Sequence, residues 1–196
     1  MVLIDEVLAS IQRCGSITRR LLNFSRHMDT KIEPVDLKEM INEVLAFLEK
    51  EAERCRVDIS VDHIDNIPEF ESDRGSLQQI FLNLFNNAFA AMEDGGHLKI
   101  TVDRQGENAV CVTVADNGCG ISAEDIQRVF EPFFSTRENQ GGTGLGLSIT
   151  YGLVKEIGGD IHVDSTVGNG TRFSILLPMQ TEQSEKVNLA DTCTGI

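Results

Sequence analysis

Several features are scarce or absent in this 196-residue sequence, and most of these absences exclude something. No run of eighteen or more apolar residues occurs, so the sequence encodes no membrane-spanning helix within it. The first residues alternate apolar with charged (Ile4, Asp5, Glu6), which is not the pattern of a secretory signal peptide. Basic residues are few. The 17 Lys and Arg against 31 Asp and Glu give a net charge of −14, which argues against a nucleic-acid-binding surface. The five cysteines, Cys14, Cys55, Cys111, Cys119 and Cys193, are odd in number and scattered, without metal-type pairing. That usage fits a reducing cytoplasm. No internal repeat is visible. The length suits one full domain with an appendage and a substantial core.

What is present centres on Asp116 to Ser148, where two glycine-rich turns flank an aromatic-rich segment. Asp116-Asn-Gly-Cys-Gly-Ile121 ends a β-type run, Val110 to Ala115, at a sharp turn. Gly118 and Gly120 allow positive φ and close approach to a flat ligand, with Cys119 read as a small filler between them. Gly141-Gly-Thr-Gly-Leu-Gly-Leu147 then opens an apolar segment that reads as a helix through Val154 and Ile157. A glycine-rich turn feeding a helix N-terminus presents N–H groups and a positive dipole end to a phosphate chain. Either turn alone is equally well an ordinary surface turn; the two in this order favour a nucleotide site.

The remaining chain alternates helices and strands. Residues Ile4 to Met28 carry a heptad seam (4, 7, 11, 14, 18, 21, 25, 28), expected to pack on another helix or chain, a homodimer included. Lys31 to Val35 is expected as a linker. Asp36-Leu-Lys-Glu39 has capping-box spacing before a helix with Leu37, Ile41, Val44, Leu45 and Leu48 on one face. Val57 to Val61 alternates as a strand. Asp73 is placed to cap a helix whose Gln78 to Met92 portion is apolar almost all round, hence buried, with Asn83 and Asn87 on one face. Further strands are expected around Leu98–Val102, Val110–Val114, Ile161–Val163 and Phe173–Leu177, and a short helix after Ser122. Gly158-Gly159 closes the helix after the second glycine turn. The pattern is α+β, a two-layer sandwich of a sheet covered by helices. Residues 36–179 form the domain; the polar, patternless 180–196 is expected to be disordered.

Taken in order, "NLFNNA", "DNGCGI", "FEPFFST" and "GGTGLGLS" resemble the N, first glycine, F and second glycine boxes of sensor histidine kinases. The resemblance covers roughly Asp36 to Pro178, and "EPFFST" with "GTGLGLSI" is most similar to the nitrogen-regulator type. It implies an ATP-binding catalytic domain of the gyrase, heat-shock chaperone, histidine kinase and mismatch-repair fold. Residues 1–30, with "ITRRLLNFSR", resemble the second helix of the dimerisation and phosphotransfer hairpin. On this reading Asp116 accepts the adenine amino group, assisted by Thr171 through water. Asn87 offers a neutral oxygen to Mg²⁺, and Asn83 and Asn86 assist at water or phosphate. Gly142, Thr143, Gly144, Leu145 and Gly146 aim backbone N–H groups at the β- and γ-phosphates. Ile121, Phe134 and Leu147 complete the nucleotide-binding set.

Arg137, where relatives often carry a lysine, either reaches the γ-phosphate or is a solvated charge on the lid Ser135 to Gly141. Phe130, Phe133 and Phe134 would anchor the lid's stem. With so acidic a chain, local positive charge or Mg²⁺ must hold the nucleotide.

The resemblance also implies transfer of the γ-phosphoryl to an acceptor histidine, then to a response regulator. None of His27, His63, His97 or His162 has the acceptor's setting, a following acidic residue and nearby proline. The acceptor helix therefore either precedes this sequence or belongs to another protein. ATP-hydrolysing members of the superfamily place a glutamate four residues before the metal-binding asparagine. Here that residue is Asn83, and an amide cannot take a proton from water. A gyrase-type ATPase is thereby disfavoured; a non-catalytic nucleotide-sensing module is the other alternative.

Overall fold

The computed structural model describes residues 31–63, 67–92, 94–137 and 142–179. The heptad helix, the C-terminal tail and Glu138 to Gly141 of the expected lid lie outside the described residues. Strands β1 (Ile32–Val35) and β3 (Phe70–Asp73) pair antiparallel. Between them run helix α1 (Leu37–Cys55) and strand β2 (Val57–His63). Helix α2 (Arg74–Ala91) leads to β4 (Gly96–Gln105) and β5 (Ala109–Asp116). A one-turn α3 (Ala123–Ile126), helix α4 (Gly146–Glu156), β6 (Asp160–Thr166) and β7 (Gly170–Pro178) complete the chain.

The main sheet has the order β2-β4-β5-β7-β6. Only β2 and β4 are parallel; the other pairs are antiparallel. Period-2 alternation puts Leu98, Ile100 and Val102 of β4 on one face with Val110, Val112 and Val114 of β5 and Phe173, Ile175 and Leu177 of β7. All of these are buried. The register places Ile100 opposite Val114 and Val114 opposite Phe173, so the rows are continuous. Helix α2 lies on this face and buries Leu77, Ile80, Phe81, Leu84, Phe85 and Phe89. Burial of each such side chain contributes about 1.5–3 kcal/mol. The opposite face of the sheet is polar, carrying Lys99, Thr101, Thr113, Ser174 and His162.

Helix ends follow their caps. Asp36 Oδ1 accepts from Glu39 N at 3.0 Å, and Asp73 Oδ1 from Gly75 N at 3.0 Å and Ser76 N at 3.3 Å. Ser122 Oγ accepts from Asp125 N at 3.1 Å. Helix α4 ends in a Schellman motif: Gly158, at φ 76°, donates to Lys155 O at 3.1 Å, and Gly159 to Val154 O at 2.8 Å.

The expected linker Lys31 to Val35 is instead mostly strand. Ile32–Val35 pairs with Phe70–Asp73, and Val35 is fully buried. Four residues containing a proline carry too little alternation to read as a strand. The partner, Phe-Glu-Ser-Asp, is polar at three of its four positions.

Candidate nucleotide site

The ends of β5, α2 and β7 meet at Asp116. It pairs with Thr171 across the β5–β7 ladder, and its Oδ1 accepts from Gly118 N at 2.9 Å and Thr171 N at 3.3 Å. No other hydrogen bond reaches its side chain among the described residues, leaving Oδ2 to receive a ligand's donor. Burial pushes the Asp116 carboxyl above the ordinary range; the two backbone N–H groups and the Arg137 charge oppose the rise.

Two residues outside the motifs build this corner. A Cβ on Gly170, at φ 91°, would fall 1.9 Å from Asp116 O, so only glycine lets β7 start there. Ser165 Oγ accepts from Ile121 N at 2.8 Å, donates to Gly170 O at 2.7 Å and lies 3.0 Å from Thr171 Oγ1. It ties the first glycine turn to the β6–β7 hairpin. The sequence offered no signal for Ser165 beyond its place before a glycine turn.

The two asparagines of α2 are used differently. Asn83 Nδ2 donates to Gly146 O at 3.1 Å and Thr150 Oγ1 at 3.2 Å, and Oδ1 accepts from Gln79 Nε2 at 2.9 Å. Its amide braces α2 against the first turn of α4. Asn87 Nδ2 is buried and has no hydrogen-bond partner, alone among the buried side-chain N and O atoms of the described residues. It faces Gly146, where a Cβ would stand 3.9 Å from Nδ2. A buried N–H donor without an acceptor beside a glycine-rich loop fits a site completed by a ligand. One neutral amide with phosphate oxygens and water is also a donor set that suits Mg²⁺.

Helix α4 begins without a side-chain cap, its N-cap being Leu145, whereas α1, α2 and α3 are capped by Asp36, Asp73 and Ser122. An 11-residue helix with no capping side chain presents its N-terminal dipole to whatever lies in front.

In front lies a cavity of about 610 Å³. Asn83, Asn86, Asn87, Asp116, Gly120, Ile121, Phe134, Arg137, Gly142, Thr143, Gly144, Gly146, Leu147 and Thr171, all expected at the site, line it. Val129 and Phe173 add apolar walls, and Arg54, Cys55 and Cys119 also reach it.

Several expectations are corrected. Gly118 does not line the cavity; a Cβ there would meet Ala91 O at 2.5 Å, so its smallness serves the packing of the turn on the end of α2. The Leu145 side chain is buried outside the lining and its carbonyl accepts from Ile149 N at 3.0 Å, so only its backbone N–H is left for the expected phosphate contact. Gly142 N donates to Arg137 O at 3.1 Å and is therefore not aimed at phosphate. The Arg137 guanidinium lies over the first glycine turn, with Nη2 3.2 Å from Cys119 Sγ, and lines the cavity. Cys119 is exposed, so it is no filler. Phe133 is 63% exposed at φ 66° and held through its backbone, N donating to Gly144 O at 3.0 Å, so it anchors nothing by packing. Phe134 sits under the Arg128 guanidinium, 4.5 Å from the ring centre, and Phe130 stacks on Tyr151 at 5.3 Å.

A helix-covered mixed sheet with an acceptor carboxylate at one end of the pocket and a glycine-rich helix start at the other defines a nucleotide-binding domain. The chain belongs to the family of histidine kinase-, DNA gyrase B- and HSP90-like ATPases, whose pattern matches residues 72–181, more than half of its length. Sensor kinase CckA of Brucella abortus is 34% identical over 194 residues, covering 92% of this chain and 20% of that protein. The catalytic domain of histidine kinase ThkA is similar in structure, with a TM-score of 0.68 and 31% identity over 77% of this chain and 99% of that one. ShkA, solved full-length in complex with AMPPNP, gives a TM-score of 0.75 and 28% identity over 85% of this chain and 36% of that one. Within the family, the chain carries the ATP-binding catalytic domain of the sensor histidine kinases. It spans 20–37% of the length of the curated relatives compared.

Proposed function

We propose that this domain binds ATP with Mg²⁺ and passes the γ-phosphoryl group to a histidine on an acceptor helix outside residues 31–179, from which an aspartate of a response regulator takes it. The observation that carries the kinase reading is Asn83. It stands where a hydrolase of this fold would carry its glutamate, and its amide is occupied by Gly146, Thr150 and Gln79. No amide at that position can deprotonate water. An imidazole brings its own nucleophilic nitrogen, so the protein has only to position and neutralise.

Each part then has a task. Asp116 receives the adenine amino group on Oδ2 while Gly118 and Thr171 fix Oδ1. The start of α4 faces the phosphates with its N–H groups and dipole. Asn87 would hold the metal, which would supply positive charge to offset that of the phosphates. Neither His97 nor His162 lines the cavity. His97 Nε2 is 2.9 Å from Ser60 Oγ and His162 Nε2 is 3.3 Å from Asp164 Oδ1, both on the polar sheet face, and this supports an acceptor elsewhere. No described helix is long and apolar enough to cross a membrane. We place the domain in the cytoplasm on its composition.

The test is radiolabelled ATP with this chain and a separate acceptor-helix fragment, then a receiver domain. Label is expected on the fragment's histidine and next on the receiver. Nucleotide binding without label transfer would leave a binding module and refute the kinase reading.

A further inference from the structure

Among the described residues, the cavity presents two cations to a polyanionic ligand, and the motifs account for one. Arg137 lies over the first glycine turn at Cys119. The other is Arg54, in the last turn of α1, outside every motif. Helix α1 packs along α2, and its end meets the turn that follows α2, Gly96 N donating to Arg56 O at 3.3 Å. Arg54 thus borders the cavity on the side of α2's C-terminal half, where Asn86, Asn87 and Ala90 also line it.

Its guanidinium is now held by Glu51, three residues earlier, through Nε to Oε2 at 3.1 Å and Nη2 to Oε1. The Arg54 side chain is 72% exposed and that of Glu51 40%. An exposed pair of this kind contributes little and is readily exchanged for a stronger anion. The chain carries a net charge of −14, and among the described residues the only carboxylate lining the cavity is Asp116. A guanidinium pairs with phosphate in bidentate fashion as it does with carboxylate.

We infer that Arg54 is a nucleotide-contacting residue: it leaves Glu51 and grips the phosphate chain from the α1 side, opposite the glycine-rich start of α4. This rests on the nucleotide-site reading above. The glycine loop supplies dipoles and Asn87 a neutral ligand, so Arg54 provides full positive charge at a point the boxes do not reach. Glu51 acts as a placeholder that keeps the guanidinium at the rim and competes with the ligand.

Calorimetric titration of the 196-residue chain with AMPPNP, ADP and adenosine, each with Mg²⁺, tests it. Arg54→Gln is expected to weaken AMPPNP and ADP by about tenfold or more, as for loss of a charge-assisted hydrogen bond, and to leave adenosine unchanged. The deficit should shrink at high salt. Glu51→Gln should tighten AMPPNP severalfold. Lys99→Gln removes the same charge from the far sheet face and should change nothing, with thermal midpoints recorded for each variant. Equal AMPPNP affinity in Arg54→Gln and wild type overturns the inference, as does an equal loss for adenosine, which would mark a structural role. If wild type itself binds no nucleotide, the site reading fails first, and Arg54 with it.

Discussion

The substitution Asn83→Asp is nearly isosteric: it removes the two donated hydrogens and, above the carboxyl pKa, adds a negative charge. In the native structure Nδ2 gives its hydrogens to Gly146 O at 3.1 Å and Thr150 Oγ1 at 3.2 Å, while Thr150 Oγ1 itself donates to Gly146 O at 2.9 Å. A carboxylate would face the Gly146 carbonyl with no proton between them. Thr150, which is fully buried, could turn its hydroxyl to the new acceptor only by abandoning Gly146 O. Losing two donated bonds at about 0.5–1.5 kcal/mol each gives roughly 1–3 kcal/mol, before any cost of partly burying the charge. For a domain of this size that is a fall in thermal midpoint of about 3–10 °C. The deficit has a pH signature. A protonated carboxyl regains one donor, so the introduced acid should titrate above its unfolded value. The variant then keeps its stability below the unfolded pKa and loses it as pH rises through the folded one. Thermal melts of both proteins at about pH 5 and pH 8 check this, with the gap widening at the higher pH. Equal midpoints at the higher pH would refute the brace.

Three further changes probe the rest of the site. Asn87→Ala should abolish Mg²⁺-dependent ATP binding in a titration without lowering the thermal midpoint of the ligand-free domain, since Nδ2 has no partner to lose and its unpaired burial is relieved; tight residual binding would count against the metal role. Asp116→Asn should weaken adenine nucleotides strongly. Because burial raises the Asp116 pKa, wild type is favoured below the unfolded carboxylate pKa and loses that advantage as pH rises through the folded value. The variant should therefore gain on wild type from about pH 4 to pH 7 in chemical denaturation. Gly170→Ala, at φ 91° with a Cβ 1.9 Å from Asp116 O, should cost at least about 1–3 kcal/mol and displace Asp116, visible as lost stability and lost nucleotide binding together.

The sheet was legible because β4, β5 and β7 alternate strictly and each lies between turn residues. The caps Asp36, Asp73 and Ser122 were legible because capping is local in sequence. Strands β1 and β3 were not: at four residues each, they are defined by pairing with one another rather than by pattern. The glycine boxes announced the pocket, but which glycine does what is tertiary. Gly118 is small because Ala91 lies behind it, and Gly170 because Asp116 does. Arg54 and Ser165 escaped notice for the same reason, since neither belongs to a motif and both reach the site only because a distant segment folds over it.

The two ends of the pocket differ in how their polar groups are satisfied, and the difference assigns them different roles. At the Asp116 end the groups are mutually engaged: Gly118 N and Thr171 N hold Oδ1, and Ser165 secures Ile121, Gly170 and Thr171. That corner is rigid before any ligand arrives, so it can select a base by shape and by one remaining oxygen. At the α4 end the protein leaves Asn87 Nδ2 buried without a partner and the helix start without a capping side chain. An unpaired buried donor costs about 1–3 kcal/mol, and an absent cap about 1 kcal/mol. On the proposed reading a phosphate chain, rich in acceptor oxygens, would offset both, whereas a base alone would offset neither. Ligands bearing phosphates should therefore stabilise the domain by more than their affinity for the base corner explains. The two asparagines thus differ: Asn83 is engaged by Gly146, Thr150 and Gln79, whereas Asn87 Nδ2, four residues on, has no partner among the described residues, which on the proposed reading leaves it for the ligand.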